Sequence, residues 1–233
     1  PIEQIREFCE KYKTQVHMRF KCLGDPHTID DEKIQLLADA GCTDIIIGIQ
    51  GAERTNLEVY KRMQKDDIVV SAAKIIHKFR DKITVMYDVI TCNPYENASD
   101  VINLVRLLQK LPKPYYLSVN NLVFFTGSEL YTRAKAEGVI KTEKDSAVDL
   151  NYWDRIAHLR LKNKNTYVVL LLNLMRGSVT DSRFGVMPNF LVNLLLTDSI
   201  VKLNLKFTIP TQIAASFVQV ADVVREKVAK PVY

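Results

Sequence analysis

The sequence predicts an α/β fold, a partial (β/α) barrel of parallel strands, followed by a mainly helical C-terminal part. Three observations carry this. Up to about residue 140, short β-rich runs alternate with segments of helical apolar spacing, the arrangement that buries a parallel sheet beneath crossover helices. One helical segment opens on Asp30 and Asp31 and stops at Gly41, and another stops at Gly138, the punctuation expected of helices between strands. Beyond a polar, acidic linker at 138–149 the period changes, and residues 150–230 read as mainly helical.

Pro1 is followed at helical spacing by Ile2, Ile5, Phe8 and Cys9, so the chain opens on the first turn of a helix. A strand follows at 15–22, with His17 and Arg19 on one face and Cys22 on the other. Asp30 and Asp31 offer N-cap acceptors to a helix carrying Ile34, Leu37 and Ala38, which stops at Gly41. The next units are a strand at 43–49 with helices at 53–62 and 68–79, a strand at 83–91 with a helix at 98–111, and a strand at 116–124 with a helix at 128–137 ending at Gly138. In the C-terminal part, Ile156, Leu159, Leu170, Leu171, Leu174, Phe190, Leu194 and Leu195 are core candidates, and a last amphipathic helix runs over 210–228 behind a proline. Four strands with helices on one side make half a barrel, so further strands are expected upstream of Pro1. A native start would carry Met, and the chain reads as an excised part of a longer one.

Composition bounds the class. A chain of 233 residues, 47% hydrophobic and 25% charged, has globular composition and length for one sizeable core. The net charge of +5 comes from basic residues scattered among acids, which argues against nucleic acid as a partner. Cys9, Cys22, Cys42 and Cys92 are too far apart in sequence for a metal knuckle and too few for a secreted disulfide scaffold, so a reducing cytoplasm is the expected compartment. Charged residues interrupt the first 20 positions, and the apolar run at 167–175 is too short to span a bilayer, so no membrane association is expected.

In parallel sheets, ligands bind where the strands end. One end reads Gly48-Ile49-Gln50-Gly51, a polar side chain among glycines that either make a tight turn or admit a ligand to the backbone. Another places Asp88 inside an apolar strand, where a carboxylate must face a polar cavity or find a partner. Beyond it, Asn97 or Ser99 could cap the next helix, and Glu96 suits either a helix start or a ligand. Arg62 closes a helix, as a solvated cation or as a clamp for a carboxylate. His27, His77 and His158 read as isolated. No Ser–His–Asp grouping, phosphate loop or HExxH is present, which leaves hydrolase, kinase and zinc-protease readings without support.

Three segments resemble a known family. Ala40-Gly41-Cys42, with Ile45 to Ala52 and Tyr60-Lys61-Arg62-Met63, is similar to the fourth-strand segment of radical S-adenosylmethionine (SAM) enzymes. Asp88-Val89-Ile90 with Asn93-Pro94-Tyr95-Glu96 resembles their fifth-strand segment, and Phe124-Phe125-Thr126-Gly127-Ser128-Glu129-Leu130-Tyr131 with Ala134, Lys135 and Gly138 resembles the sixth. The subgroup most similar carries a cobalamin-binding domain upstream of its barrel. Residues 1–140 would then be the C-terminal half of a radical SAM barrel of the TIM type, and 141–233 a helical subdomain. The resemblance implies that Gln50 and Asp88 contact the SAM ribose, that Arg62 holds its carboxylate, and that Val89 and Ile90 lie near the adenine.

The same resemblance implies an iron–sulfur enzyme that cleaves SAM reductively to a 5′-deoxyadenosyl radical, and either a cobalamin-dependent methyltransferase or a related oxidoreductase. The CxxxCxxC segment that binds the 4Fe–4S cluster has no counterpart here and is expected upstream. The partners implied are a small-molecule substrate and the upstream, cluster-binding part of the same chain, and these residues alone are expected to be inactive. Cys92 stands where the family has glycine, Gly51-Ala52 replaces Ser-Gly, and Thr126-Gly127-Ser128 replaces Pro-Gly-Thr. Two competing readings are a cluster-free barrel that binds a nucleotide or a partner protein, and an interaction module whose apolar stretch at 168–174 is exposed.

Overall fold

The computed structural model describes residues 2–146, 167, 171, 172, 175 and 189–206. Four strands, β1 (Phe20–Gly24), β2 (Cys42–Gln50), β3 (Thr84–Thr91) and β4 (Tyr116–Asn121), form a wholly parallel sheet in the order β1-β2-β3-β4. Between them run α2 (Asp31–Asp39), α3 (Asp66–His77) and α4 (Ala98–Lys110), with α1 (Ile2–Lys11) before the sheet and α5 (Glu129–Ala136) and α6 (Glu143–Ser146) after it. Strands that neighbour in chain order, each joined by a helix, are the arrangement of a barrel wall; a doubly wound sheet would reverse its order.

Alternation assigns the two faces. Ile45, Ile47 and Ile49 of β2 and Val85, Tyr87 and Val89 of β3 are buried with Val69, Ala73 and Ile76 of α3 and with Leu104, Leu107 and Leu108 of α4. Each buried branched or aromatic side chain contributes about 1.5–3 kcal/mol, so this face anchors the sheet. The opposite face carries Ile46, Gly48 and Gln50 of β2 and Met86, Asp88 and Ile90 of β3, all only half-buried. On edge strand β1, Leu23 is 82% exposed on that side.

The caps explain where the helices start. Asp30 accepts from the Lys33 amide at 2.8 Å, and Gly41 adopts the left-handed backbone (φ +100°) that ends this unit. Asn97 and Asp100 form a reciprocal capping box at the head of α4, and Ser128 caps α5.

Three expectations are corrected. Residues 12–16 continue α1 as one wide turn closed by an i→i+5 bond from the His17 amide to the Tyr12 carbonyl at 3.2 Å, so the first strand starts only at Phe20. The alternation there resembles a strand, but Tyr12 stacks between Phe8 (5.3 Å) and Phe20 (4.7 Å) and keeps the helix going, so His17 and Arg19 share no strand face. The helix expected at 53–62 forms only over 53–59, widening into an i→i+5 turn at Thr55–Val59, so Arg62 lies beyond its end rather than closing it. The linker at 138–149 is tied down in its described part: Ile140 is buried against Leu122, Phe124 and Ala134, and the Phe124 amide bonds to the Ser146 carbonyl at 2.9 Å.

In the C-terminal part, α7 (Asn189–Leu195) and α8 (Asp198–Lys206) are helical as expected. Tyr167, Leu171, Leu172, Met175, Val192, Leu196 and Val201 join the core of the sheet and its helices. Gln109 and Lys113 of the α4 region bond to Asn193 and Asn189. Leu171 is buried and Leu195 packs on the core, whereas Phe190 and Leu194 lie on the outer face of α7 at 69% and 57% exposure. Ile156, Leu159, Leu170, Leu174, His158 and the helix at 210–228 lie outside the described residues. Among the described residues no helix is long and apolar enough to cross a membrane.

Candidate functional site

Gln50 and Asp88 lie toward the C-terminal ends of β2 and β3, and among the described residues no hydrogen bond or ion pair engages either side chain. Asp88 stands across from Gly48 in the β2–β3 register, on the open face. Gly48 is the floor of this region. A Cβ added there would lie 2.4 Å from the Gln50 side-chain nitrogen and 4.0 Å from an Arg62 guanidinium nitrogen, so the Gln50 amide folds back over the space that glycine leaves. Gln50 and Arg62 therefore approach the same backbone position that Asp88 faces across the β2–β3 ladder.

Local backbone geometry makes this possible. The β2–β3 register slips between Gly48 and Gln50, so Ile49 is an extra residue that bends the strand end. Gln50 follows in the left-handed region (φ +64°), as do Lys61 beside Arg62 (φ +54°) and Cys92 at the end of β3 (φ +58°). Such conformations cost a non-glycine residue about 1–2 kcal/mol. They recur here at the ends of adjacent strands, where strained residues tend to serve a site. Cys92 occupies the position at which the resembled pattern has glycine, and its left-handed backbone explains that preference.

A hub of buried amides holds the Arg62 segment against the strand end. The Ile49 carbonyl accepts from the Gly51 amide (2.9 Å), from Asn56 Nδ2 (3.0 Å) and from Gln64 Nε2 (3.1 Å). The Arg62 amide donates to the Asn56 carbonyl at 2.8 Å, and its guanidinium donates to Gln64 Oε1 at 3.2 Å. Asn56 and Gln64 are each 2% exposed, so these bonds are made away from competing water. The rest of the Arg62 fork, the Gln50 amide and the Asp88 carboxylate are not used by the fold among the described residues.

Two further groups border the site. The end of β1 supplies Asp25 and His27. Asp25 Oδ1 accepts from the His27 amide and meets the His27 ring at Nδ1, both at 2.9 Å, while His27 Nε2 meets the Met63 carbonyl at 2.9 Å. His27 is thus not isolated. Beyond Gly51 lies Glu96, whose Oε1 would be 3.4 Å from a Cβ at Gly51; burial pushes its carboxyl up to about 8. Tyr60 bonds to Asn93 at 3.0 Å beside it, and burial raises its phenol. Arg54 grips Asp100 through two guanidinium nitrogens, one at 2.7 Å, and locks the turn after β2 to the head of α4. Burial works to raise the Asp100 carboxyl, but the bonds from Arg54 and the Asn97 amide outweigh it and hold it below the usual carboxylate range.

The predicted site residues divide by face. Gln50, Arg62 and Asp88 lie around Gly48 on the open side, whereas Ile90, on the same face of β3, packs against the cluster of Leu122, Phe124, Ala134 and Ile140. Val89 is fully buried on the helix side, so only its backbone is offered to the open end. The links from His27 to Met63 and from Gln64 to Ile49 join residues 36 and 15 positions apart, and no spacing rule announces them. The only local signal is Asp25-Pro26-His27-Thr28, an Asx-type turn.

No protein-family profile matches the chain, and no curated protein matches its sequence. Solved structures that it resembles include the radical S-adenosylmethionine methyltransferase TsrM from Kitasatospora setae with cobalamin and a 4Fe–4S cluster bound, at 14% identity and TM-score 0.48 over 57% of this chain and 28% of that one. The same enzyme with tryptophan substrate and the SAM analogue aza-SAM matches at 14% identity and TM-score 0.47, over 57% and 27%. Coproporphyrinogen III oxidase (HemN) from Escherichia coli, described as a radical SAM enzyme, matches at 13% identity and TM-score 0.47, over 67% and 35%. The chain therefore spans about a third or less of the length of each.

Proposed function

We propose that these residues are the SAM-binding part of a radical SAM enzyme, with Gln50 and Asp88 toward the ribose of SAM, Arg62 toward its carboxylate, and Ile90 with the Val89 backbone bordering the adenine. The observation that carries this reading is the convergence of an unpaired Gln, an unpaired Asp and an Arg with open donors around Gly48. A ligand bearing both hydroxyls and a carboxylate satisfies that set, since Arg forks onto carboxylates and Asp accepts from hydroxyl pairs. The order of the three resembled sequence segments supports the same reading.

The described residues do not fit the 4Fe–4S cluster. No group of three metal-ligating side chains comes together among them, and Cys22 and Cys42, with sulfurs 3.7 Å apart, lie in the sheet rather than at its open end. A cluster would have to be held by residues outside those described, where it would supply the electron for SAM cleavage, while Gln50, Arg62 and Asp88 would bind and orient SAM. Methyl transfer and cobalamin dependence rest on the resembled subgroup alone.

Calorimetric titration of the chain with SAM tests the proposal. Binding in the micromolar to millimolar range is expected, weakened about tenfold or more by Arg62→Ala or Asp88→Ala, as for the loss of a charge-assisted bond. Equal affinity in both variants would overturn the assignment.

A further inference from the structure

We propose that His27 is a positioning residue whose protonated ring pins the end of β1 to the segment carrying Arg62, so that the open-face site is held together at acidic pH and loosens as the ring loses its proton. This rests on the reading of Gln50, Arg62 and Asp88 as a ligand site.

The argument starts from donors and acceptors. His27 Nδ1 lies 2.9 Å from Asp25 Oδ1, and Nε2 lies 2.9 Å from the Met63 carbonyl. A carboxylate and an amide carbonyl can only accept. A neutral imidazole has one N–H and must turn a lone pair toward one of these oxygens, so both contacts coexist only in the imidazolium.

When the proton leaves, the two contacts do not fare equally. Asp25 is two residues away in the same turn, and its Oδ1 also accepts the His27 amide, which keeps the Nδ1–H tautomer in place. The nitrogen left bare is Nε2, and it faces the Met63 carbonyl. That contact is the link to the Arg62 segment. The Met63 side chain is 75% exposed and supplies no apolar anchor in its stead.

The charges around the ring set the direction. Asp25 attracts the proton and Arg62 opposes it. Lys61 and Lys65 lie on the facing segment, and α3, which packs against the same turn, carries Asp66, Asp67, Lys74 and His77. The bond to Asp25, followed by the one to Met63, raises the ring above its ordinary 6.5. The clamp is therefore complete below about pH 6.5. It is lost as pH rises through the higher value of the folded protein.

The test is histidine NMR of the full chain over roughly pH 5.5 to 9, with His27→Gln assigning the resonance, alongside amide exchange at residues 62–64 and SAM titration. The expected result has three parts: a ring midpoint above 6.5, a rise in exchange at the same midpoint, and SAM affinity falling about three- to tenfold across it. Asp25→Asn should move the ring and exchange midpoints down together, and His27→Gln should abolish the exchange step. An unshifted ring, exchange without a step, or SAM affinity constant across the midpoint would overturn the proposal. Wild-type chain that shows the exchange step but binds no SAM at any pH would instead overturn the ligand reading and leave the clamp standing.

Discussion

Gly48 is the residue on which the proposed SAM site depends most directly, because the Gln50 amide occupies the volume its missing side chain vacates. Gly48→Ala should push that amide away rather than disrupt the strand, since the atom met is the end of a flexible side chain. Stability, read by thermal melting, is expected to change by less than about 1 kcal/mol while SAM affinity drops; a large loss of stability with affinity intact would contradict this assignment. Asp100 is a residue of the other kind, with its side chain only 5% exposed and held by Arg54. Arg54→Met leaves a buried carboxylate without its cation and should cost about 3–5 kcal/mol, measurable by urea unfolding. Because the Asp100 carboxyl is depressed in the fold, the stability it contributes is present above the ordinary carboxylate range and lost as pH falls below about 4.

The segment from Gly51 to Gln64 behaves as one device, tied at its far end to the strand it leaves. Asn56 and Gln64 do this through a single carbonyl, that of Ile49. Gln64→Leu keeps the volume but removes a donor to Ile49 and the acceptor for Arg62. Two other donors still serve the Ile49 carbonyl, so the expected cost is about 1 kcal/mol, with a larger effect on SAM binding than on melting temperature. Lys61 offers a control on the same segment. It is exposed and left-handed, so Lys61→Gly should raise stability by about 0.5–1 kcal/mol in a denaturant titration.

At the scale of the whole molecule, one helix-covered sheet supplies the stability, and the opposite face is left for function. Glu96 connects the two through pH. Its carboxyl stays protonated up to about 8 in the fold but ionises near 4.5 when the chain unfolds, so stability should fall as pH rises between those values. Glu96→Gln should flatten that slope in melting curves recorded across the range; an unchanged slope would place the titration elsewhere.

Period and punctuation sufficed for three strands, for the cap at Asp30 and for a cap at the head of the helix after β3, where Asn97 rather than Ser99 takes the role, because these depend on residues close in sequence. The same local pattern misled at 15–19, where aromatic stacking against Phe20 favours a wide turn, and at Phe190 and Leu194, whose apolar character says nothing about which side of α7 meets the core. Composition, spacing and three short motifs were enough to name a barrel-wall topology and its polar strand ends. Only the folded chain decided that Ile49 bulges, that its carbonyl gathers two distant amides, and that His27 reaches across to Met63. Those contacts join acceptors and donors brought together by the crossover of α2 and the turn at Thr55–Val59, and a hydrogen bond depends on distance and angle in space, which separation along the chain does not encode.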